Sequence, residues 1–213
     1  MLEKIREDIL NYRREETKKN VCKALNEGLL PSEILEKGLL GGLKAVIEEY
    51  NKDEIGLPEV VLATWTFREG MEVLEPFLKN LEKAKPKGII VIGTVEGDIH
   101  DLGKNIIKTF LTVSGYEVYD LGVDVSAKEF VSKAKESNAN IVAMSALMTT
   151  TMFNMEKVVE ALKESGIRDK FKIIIGGGPT NLDFSKRIGA DGYAREGKEA
   201  IEVVDKLMSE MRR

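Results

Sequence analysis

From residue 89 onward, short and almost wholly apolar runs alternate with amphipathic segments, and no other feature limits the possible folds so sharply. The apolar runs cover residues 89–92, 117–120, 141–145, 172–175 and 192–194, and each is followed by a helix-patterned segment, at 104–113, 127–135, 152–163, 184–188 and 200–211. Strands with no polar face belong to a parallel sheet covered on both sides. Five strand–helix units therefore predict an α/β domain with a doubly wound, five-stranded parallel sheet. In such sheets ligands sit beyond the carboxyl ends of the strands, so the loops after Ile92, Ser145 and Ile175 are expected to carry function.

The first part of the chain reads differently. Thirteen of the 19 glycines follow Lys87, and the charged stretch Glu82-Lys83-Ala84-Lys85-Pro86-Lys87-Gly88 has the composition of a linker. The expected division is a helical domain at 1–85 and the α/β domain at 86–213. Pro31-Ser32 and Pro58-Glu59 mark helix starts, since proline fits the first helical position and glutamate suits the dipole there. In the last helix Val60, Thr64, Phe67, Met71, Leu74, Leu78 and Leu81 alternate steps of four and three, the spacing of a bundle seam. Pro76 cannot donate to the carbonyl of Glu72, which predicts a kink. Trp65 lies off this seam, where it serves as a cap, an interface residue or plain packing.

Charge and composition narrow the function. Lys and Arg number 32 against 36 Asp and Glu, an acidic balance unsuited to covering a phosphate backbone. The 43% hydrophobic fraction belongs to a globular protein, with no membrane association expected. The lone Cys22 makes no internal disulfide, and Met1-Leu2-Glu3-Lys4-Ile5 lacks a signal peptide's apolar core, so the expected location is cytoplasmic. One histidine, His100, is the sole candidate for imidazole chemistry, which excludes multi-histidine zinc sites.

His100 lies in the first ligand-facing loop, Gly93-Thr94-Val95-Glu96-Gly97-Asp98-Ile99-His100-Asp101-Leu102-Gly103-Lys104. Its carboxylates are wrong for cradling phosphate, and Asn105 stands where a P-loop needs Ser or Thr. In an extended stretch Asp98 and His100 point the same way, so the carboxylate would take the Nδ1 proton and leave Nε2 as a metal ligand or general base. A merely solvated loop histidine is the competing reading. The second loop brings Ser145, Leu147, Thr149, Thr150 and Thr151, and the third Gly176, Gly177 and Gly178. Singly, these hydroxyls read as helix caps and the glycines as a tight turn.

Together, Asp98-x-His100-x-x-Gly103, Ser145-x-Leu147 and Gly176-Gly177 resemble the cobalamin-binding fingerprint of corrinoid proteins. The likeness extends through Gly97-Asp98-x-His100-Asp101-x-Gly103-Lys104-Asn105 and Asp120-Leu121-Gly122-Val123, and it is to the corrinoid subunits of methylamine- and methanol-type methyltransferase systems and to the cobalamin module of methionine synthase. It implies a Rossmann- or flavodoxin-like cobalamin-binding domain beneath a helical cap. It further implies that His100 binds cobalt as axial ligand through Nε2, with Asp98 and Thr151 completing a proton relay. Asp101 and Leu147 would contact the cofactor, Ser145 and Thr149 would bind its displaced nucleotide tail, and Gly103, Gly176 and Gly177 would keep the tail channel open. Tyr50 and Leu57 would cover the upper corrin face. Gly178 and Tyr50 depart from the usual alanine and phenylalanine, which touches the tail channel and the upper-face environment only.

The activity so implied is methyl carriage. Cobalamin would accept a methyl group from a substrate activated by a substrate-specific methyltransferase and pass it to a methylcorrinoid:acceptor methyltransferase, whose acceptor is tetrahydrofolate or a thiol such as coenzyme M, with a reductive activator of corrinoid proteins as a further partner. A face shielded by Tyr50 and Leu57 must open for transfer, which predicts a hinge at residues 82–88. The alternative is a cobalamin-dependent sensor or binding module without methyl transfer. A mutase would need a substrate barrel that 213 residues cannot hold, and a response-regulator receiver needs an aspartate where Ser145 stands.

Overall fold

The computed structural model describes residues 1–78 and 86–212. The chain divides into two compact units, Met1–Ala84 and Lys85–Arg213. Leu81 of the expected seam and residues 82–85 of the expected hinge lie outside the described residues.

The first unit is helical: α1 (Leu2–Leu10), α2 (Arg14–Asn26), α3 (Pro31–Glu33), a π-helical turn (Ile34–Leu39), α4 (Leu40–Asn51) and α5 (Leu57–Leu78). Pro31 opens α3, and Pro58 sits in the first turn of α5, both at positions where no intrahelical N–H is needed. Helix α5 runs through Pro76 to Leu78. The seam of α5 differs from the expected one. Its buried residues are Val60, Ala63, Thr66, Gly70 and Leu74, whereas Thr64, Phe67, Met71 and Leu78 are only half buried. The reason is close approach: a Cβ at Gly70 would lie 2.5 Å from Leu39 Cδ2, so small side chains rather than large ones face the neighbouring helices. Trp65 remains 48% exposed. The π turn is invisible to a 3.6-residue periodicity because it inserts an extra residue per turn.

Helix α4 crosses α1 through Gly42, where a Cβ would meet Ile9 Cβ at 2.7 Å and the Arg6 carbonyl oxygen at 2.9 Å. Gly42→Ala is therefore expected to destabilise this unit by about 1–3 kcal/mol even after the roughly 1 kcal/mol that alanine gains in helix propensity. Urea unfolding followed by the fluorescence of Trp65, the one tryptophan of the chain, measures it; an unchanged midpoint would contradict the close crossing.

The second unit contains β1 (Ile89–Thr94), α6 (Leu102–Val113), β2 (Glu117–Asp120), α7 (Ala127–Glu136), β3 (Ile141–Ser145), α8 (Asn154–Glu164), β4 (Lys172–Gly176), α9 (Leu182–Ile188), β5 (Gly192–Tyr193) and α10 (Gly197–Met211). The sheet is wholly parallel in the order β2-β1-β3-β4-β5, and its switch point lies between β1 and β3. Alternate residues of each strand feed two cores. Val91, Val142, Met144, Ile173 and Ile175 pack with Phe130 of α7, Val158 of α8 and Phe184 of α9. Ile90, Ile92, Ile141, Ala143 and Ile174 pack with Leu111 of α6 and Val204 and Leu207 of α10. Burial on both faces explains the apolar runs of β1, β3 and β4, whereas the edge strand β2 is half buried and carries a carboxylate at each end. No helix among the described residues is long and apolar enough to cross a membrane.

Candidate cobalt-ligand site

At the switch point the chain leaves β1 and turns at Val95-Glu96-Gly97-Asp98, closed by Asp98 N–H donating to the Val95 carbonyl at 3.1 Å. Asp98 is completely buried. Its Oδ1 accepts the backbone N–H of His100 at 3.0 Å and the His100 Nδ1 at 2.8 Å. Its Oδ2 accepts the backbone N–H groups of Leu147 and Met148, at 2.8 and 3.2 Å, and the Thr151 hydroxyl at 2.6 Å. Burial by itself raises the carboxyl pKa, but the bonds from Thr151, the backbone of His100 and Leu147, and the imidazole outweigh it and hold Asp98 far below the usual carboxylate range. An ionised carboxylate only accepts, so Nδ1 carries the proton, and in the neutral imidazole Nε2 presents the lone pair.

The pairing of Asp98 with His100 arises otherwise than strand alternation would have it. Strand β1 ends at Thr94, and residues 98–100 are irregular; a single carboxylate oxygen gathers the backbone and the side chain of the residue two positions on, as in an Asx turn. The imidazole stays 46% exposed, and Nε2 has no hydrogen-bond partner among the described residues.

The other expected residues fall into three places. Asp101 caps α6 without a side-chain cap bond and accepts from the Asn105 amide at 2.9 Å, and Gly103 follows in the first turn, with nothing within 4 Å of a Cβ placed there. Ser145 ends β3 half buried, while Leu147 and Thr149 are exposed on the loop beyond it. Gly176 ends β4 and Gly177 follows it; a Cβ would lie 2.7 Å from the Ala194 carbonyl oxygen at Gly176 and 1.9 Å from the Ala146 carbonyl oxygen at Gly177. Tyr50 and Leu57 belong to the helical unit, Tyr50 in the last turn of α4 and Leu57 at the start of α5, the latter 45% exposed.

Three residues that the sequence reading passed over hold the His100 loop. Buried Thr94 donates its hydroxyl to the His100 carbonyl at 3.0 Å. Asp124, after β2, accepts the Gly97 N–H at 2.6 Å and donates its own N–H to the Asp98 carbonyl at 2.9 Å. Asn154, first in α8, donates to the Glu96 carbonyl at 2.7 Å. The available signal was topological: Asp124 stands on a fourth loop at the carboxyl edge, after Asp120-Leu121-Gly122-Val123.

The donor set suits one kind of metal group. Among the described residues no three His, Cys, Asp or Glu side chains gather to hold an ion, so a metal at His100 must bring its remaining ligands with it. The segments that follow β1, β2 and β3 present Ile99, Leu102, Val123 and Leu147 as exposed apolar side chains, a surface for a flat organic macrocycle. The residues present therefore fit a cobalt corrinoid.

Comparison with known proteins decides the family. Residues 57–205 match the B12 binding domain family, and residues 1–75 match a second family also described as a B12 binding domain. The chain belongs to the cobalamin-binding corrinoid proteins. It is 42% identical over 208 residues to trimethylamine corrinoid protein 1 of Methanosarcina acetivorans, covering 97% of this chain and 95% of that protein. Among solved structures it resembles the methanol:cobalamin methyltransferase complex of Methanosarcina barkeri, with a TM-score of 0.81 and 31% identity over 97% of this chain and 78% of that one. A cobalamin-binding protein of Desulfitobacterium hafniense gives a TM-score of 0.65 and 31% identity over 97% and 98% of the two chains. Cobalamin is thus the cofactor of this corrinoid protein, and the helical unit belongs to the family pattern as much as the sheet does.

Proposed function

We propose that this corrinoid protein is a methyl carrier in which His100 Nε2 is the axial ligand of cobalt. The observation that carries the reading is the Asp98–His100 pair, in which a buried carboxylate fixes Nδ1 at 2.8 Å and leaves Nε2 free at the carboxyl edge of the sheet. When bound, cobalamin supplies a cobalt centre able to take up a methyl group and hand it on. The chain's own residues hold and tune that centre. Asp98 keeps the imidazole in the Nδ1–H tautomer and fixes the orientation of the ring, and Thr151 closes the relay on the other carboxylate oxygen. Asp101 and Leu147 would contact the cofactor, Ser145 and Thr149 would bind its nucleotide tail, and Gly103, Gly176 and Gly177 would keep the path of that tail open. Tyr50 and Leu57 of the helical unit shield the face of the corrin where methyl transfer takes place, an assignment that rests on the family likeness.

The carrier works between proteins. Relatives are named for trimethylamine or dimethylamine, and a similar chain is found in a methanol:cobalamin methyltransferase complex, which supports a substrate-specific methyltransferase as the partner that selects the methyl donor. A methylcorrinoid:acceptor methyltransferase, with tetrahydrofolate or a thiol as acceptor, and a reductive activator complete the set. The test is reconstitution with hydroxocobalamin, desalting, and incubation with the methyltransferase that co-purifies from the native host. One cobalamin retained per chain and a methyl group delivered to it are expected. A colourless desalted sample overturns cofactor binding at His100, and a coloured protein that no co-purified methyltransferase methylates overturns the carrier role.

A further inference from the structure

The Glu96–Gly97 peptide is gripped from both ends by side chains of other loops. Asp124 Oδ1 accepts its N–H at 2.6 Å, and Asn154 Nδ2 donates to its C=O at 2.7 Å. This peptide is the central one of the turn Val95-Glu96-Gly97-Asp98, closed by the 3.1 Å bond from Asp98 N–H to the Val95 carbonyl. Gly97 has φ +79° and Glu96 is not left-handed, which is the type II form. Types I and II differ by a flip of that central peptide. A flip would turn the N–H away from Asp124 and the C=O away from Asn154, and would redirect the chain as it enters Asp98.

Asp124 is itself built for this contact. It adopts φ +55°, a conformation costly for a residue other than glycine, while its N–H bonds the Asp98 carbonyl and the next residue, Val125, bridges to Val95. Strain at a position so heavily contacted marks a geometry that the surroundings impose.

We infer that Asp124 and Asn154 are positioning residues that lock the turn in the type II form and thereby aim the Asp98–His100 pair at cobalt. The inference rests on His100 being the axial ligand. Neither side chain touches the imidazole; both act through one peptide group. Because they share it, losing one frees most of what the second restrains, and the effects of the two substitutions are less than additive.

The test uses the full-length holoprotein, reconstituted with hydroxocobalamin and reduced by one electron, with the imidazole nitrogen splitting of the cobalt paramagnetic resonance as readout. Asp124→Ala is expected to cut the imidazole-bound fraction about five-fold or more, as the loss of charge-assisted hydrogen bonding implies, and Asn154→Ala to cut it about two-fold or more. The double variant is expected to lie near Asp124→Ala. Asp124→Asn keeps an acceptor oxygen and is expected to stay within about two-fold of wild type, with the apo-protein melting temperature unchanged in all variants. A wild-type imidazole-bound fraction in both Asp124→Ala and Asn154→Ala overturns the inference while leaving His100 as ligand. No nitrogen splitting in the wild type overturns both. If Asp124→Ala does not fold, Asn154→Ala and Asp124→Asn decide the matter alone.

Discussion

Gly177→Ala is expected to lower the melting temperature by roughly 10 °C and to abolish cobalamin retention. Gly177 has φ +116°, a region that L side chains rarely adopt, and a Cβ there would sit 1.9 Å from the Ala146 carbonyl oxygen. Neither strain can be relieved by a rotamer change, because the obstacle is backbone on the neighbouring loop. A strained backbone costs on the order of 1–3 kcal/mol and overpacking a similar amount, which together give about 2–6 kcal/mol; a chain of this size loses roughly 2–4 °C per kcal/mol. The functional loss follows from position. Relief requires the β3 and β4 loops to part, and the residues displaced first, Ala146 and Leu147, include a donor to Asp98. Scanning calorimetry and desalting after incubation with hydroxocobalamin check both parts; a melting temperature within about 2 °C of wild type would show that the two loops are looser than this contact requires.

Asp98→Asn is the second large effect, although the change is isosteric. Oδ1 serves two donors of His100, and Oδ2 serves Leu147, Met148 and Thr151. An amide has one oxygen, so whichever way it is turned, an NH2 group faces N–H or O–H donors. Thr151 can turn its hydroxyl to the Met148 carbonyl at 3.1 Å, but the backbone donors have no alternative of that kind. Unpaired buried donors cost about 1–3 kcal/mol each, and partial relaxation leaves an expected net loss of about 2–4 kcal/mol. The pH dependence follows from the lowered carboxyl. A folded-state pKa below the unfolded one gives stability that is complete above the ordinary carboxylate value near ~4 and is lost as the pH falls below it. Melting curves between about pH 3 and 7 should therefore show a steeper acid decline in wild type than in Asp98→Asn. Parallel curves would mean that Asp98 is not the buried anion described here.

How far the sequence foretold this site depends on how local each contact is. The strands were legible to within a residue or two because burial on both faces leaves little freedom of composition, and strand order 2-1-3-4-5 puts the His100 loop at the switch point. Asp98 and His100 were legible because they are two residues apart and chemically matched, although the carboxylate reaches the imidazole through a turn rather than along a strand. Asp124 and Asn154 were not, since they lie 27 and 58 residues from their partners and meet them only once the sheet has formed. The α5 seam was misjudged by one residue at three positions because periodicity rewards large apolar side chains, whereas close helix contact at Gly70 selects small ones.

Selective labelling of histidine with nitrogen-15 tests the cobalt ligand directly, since His100 is the one histidine of the chain. In the reduced holoprotein the nitrogen splitting of the cobalt resonance should change from a triplet to a doublet on labelling. A splitting that ignores the label, or one that survives in His100→Ala, would place another nitrogen on cobalt and contradict the account.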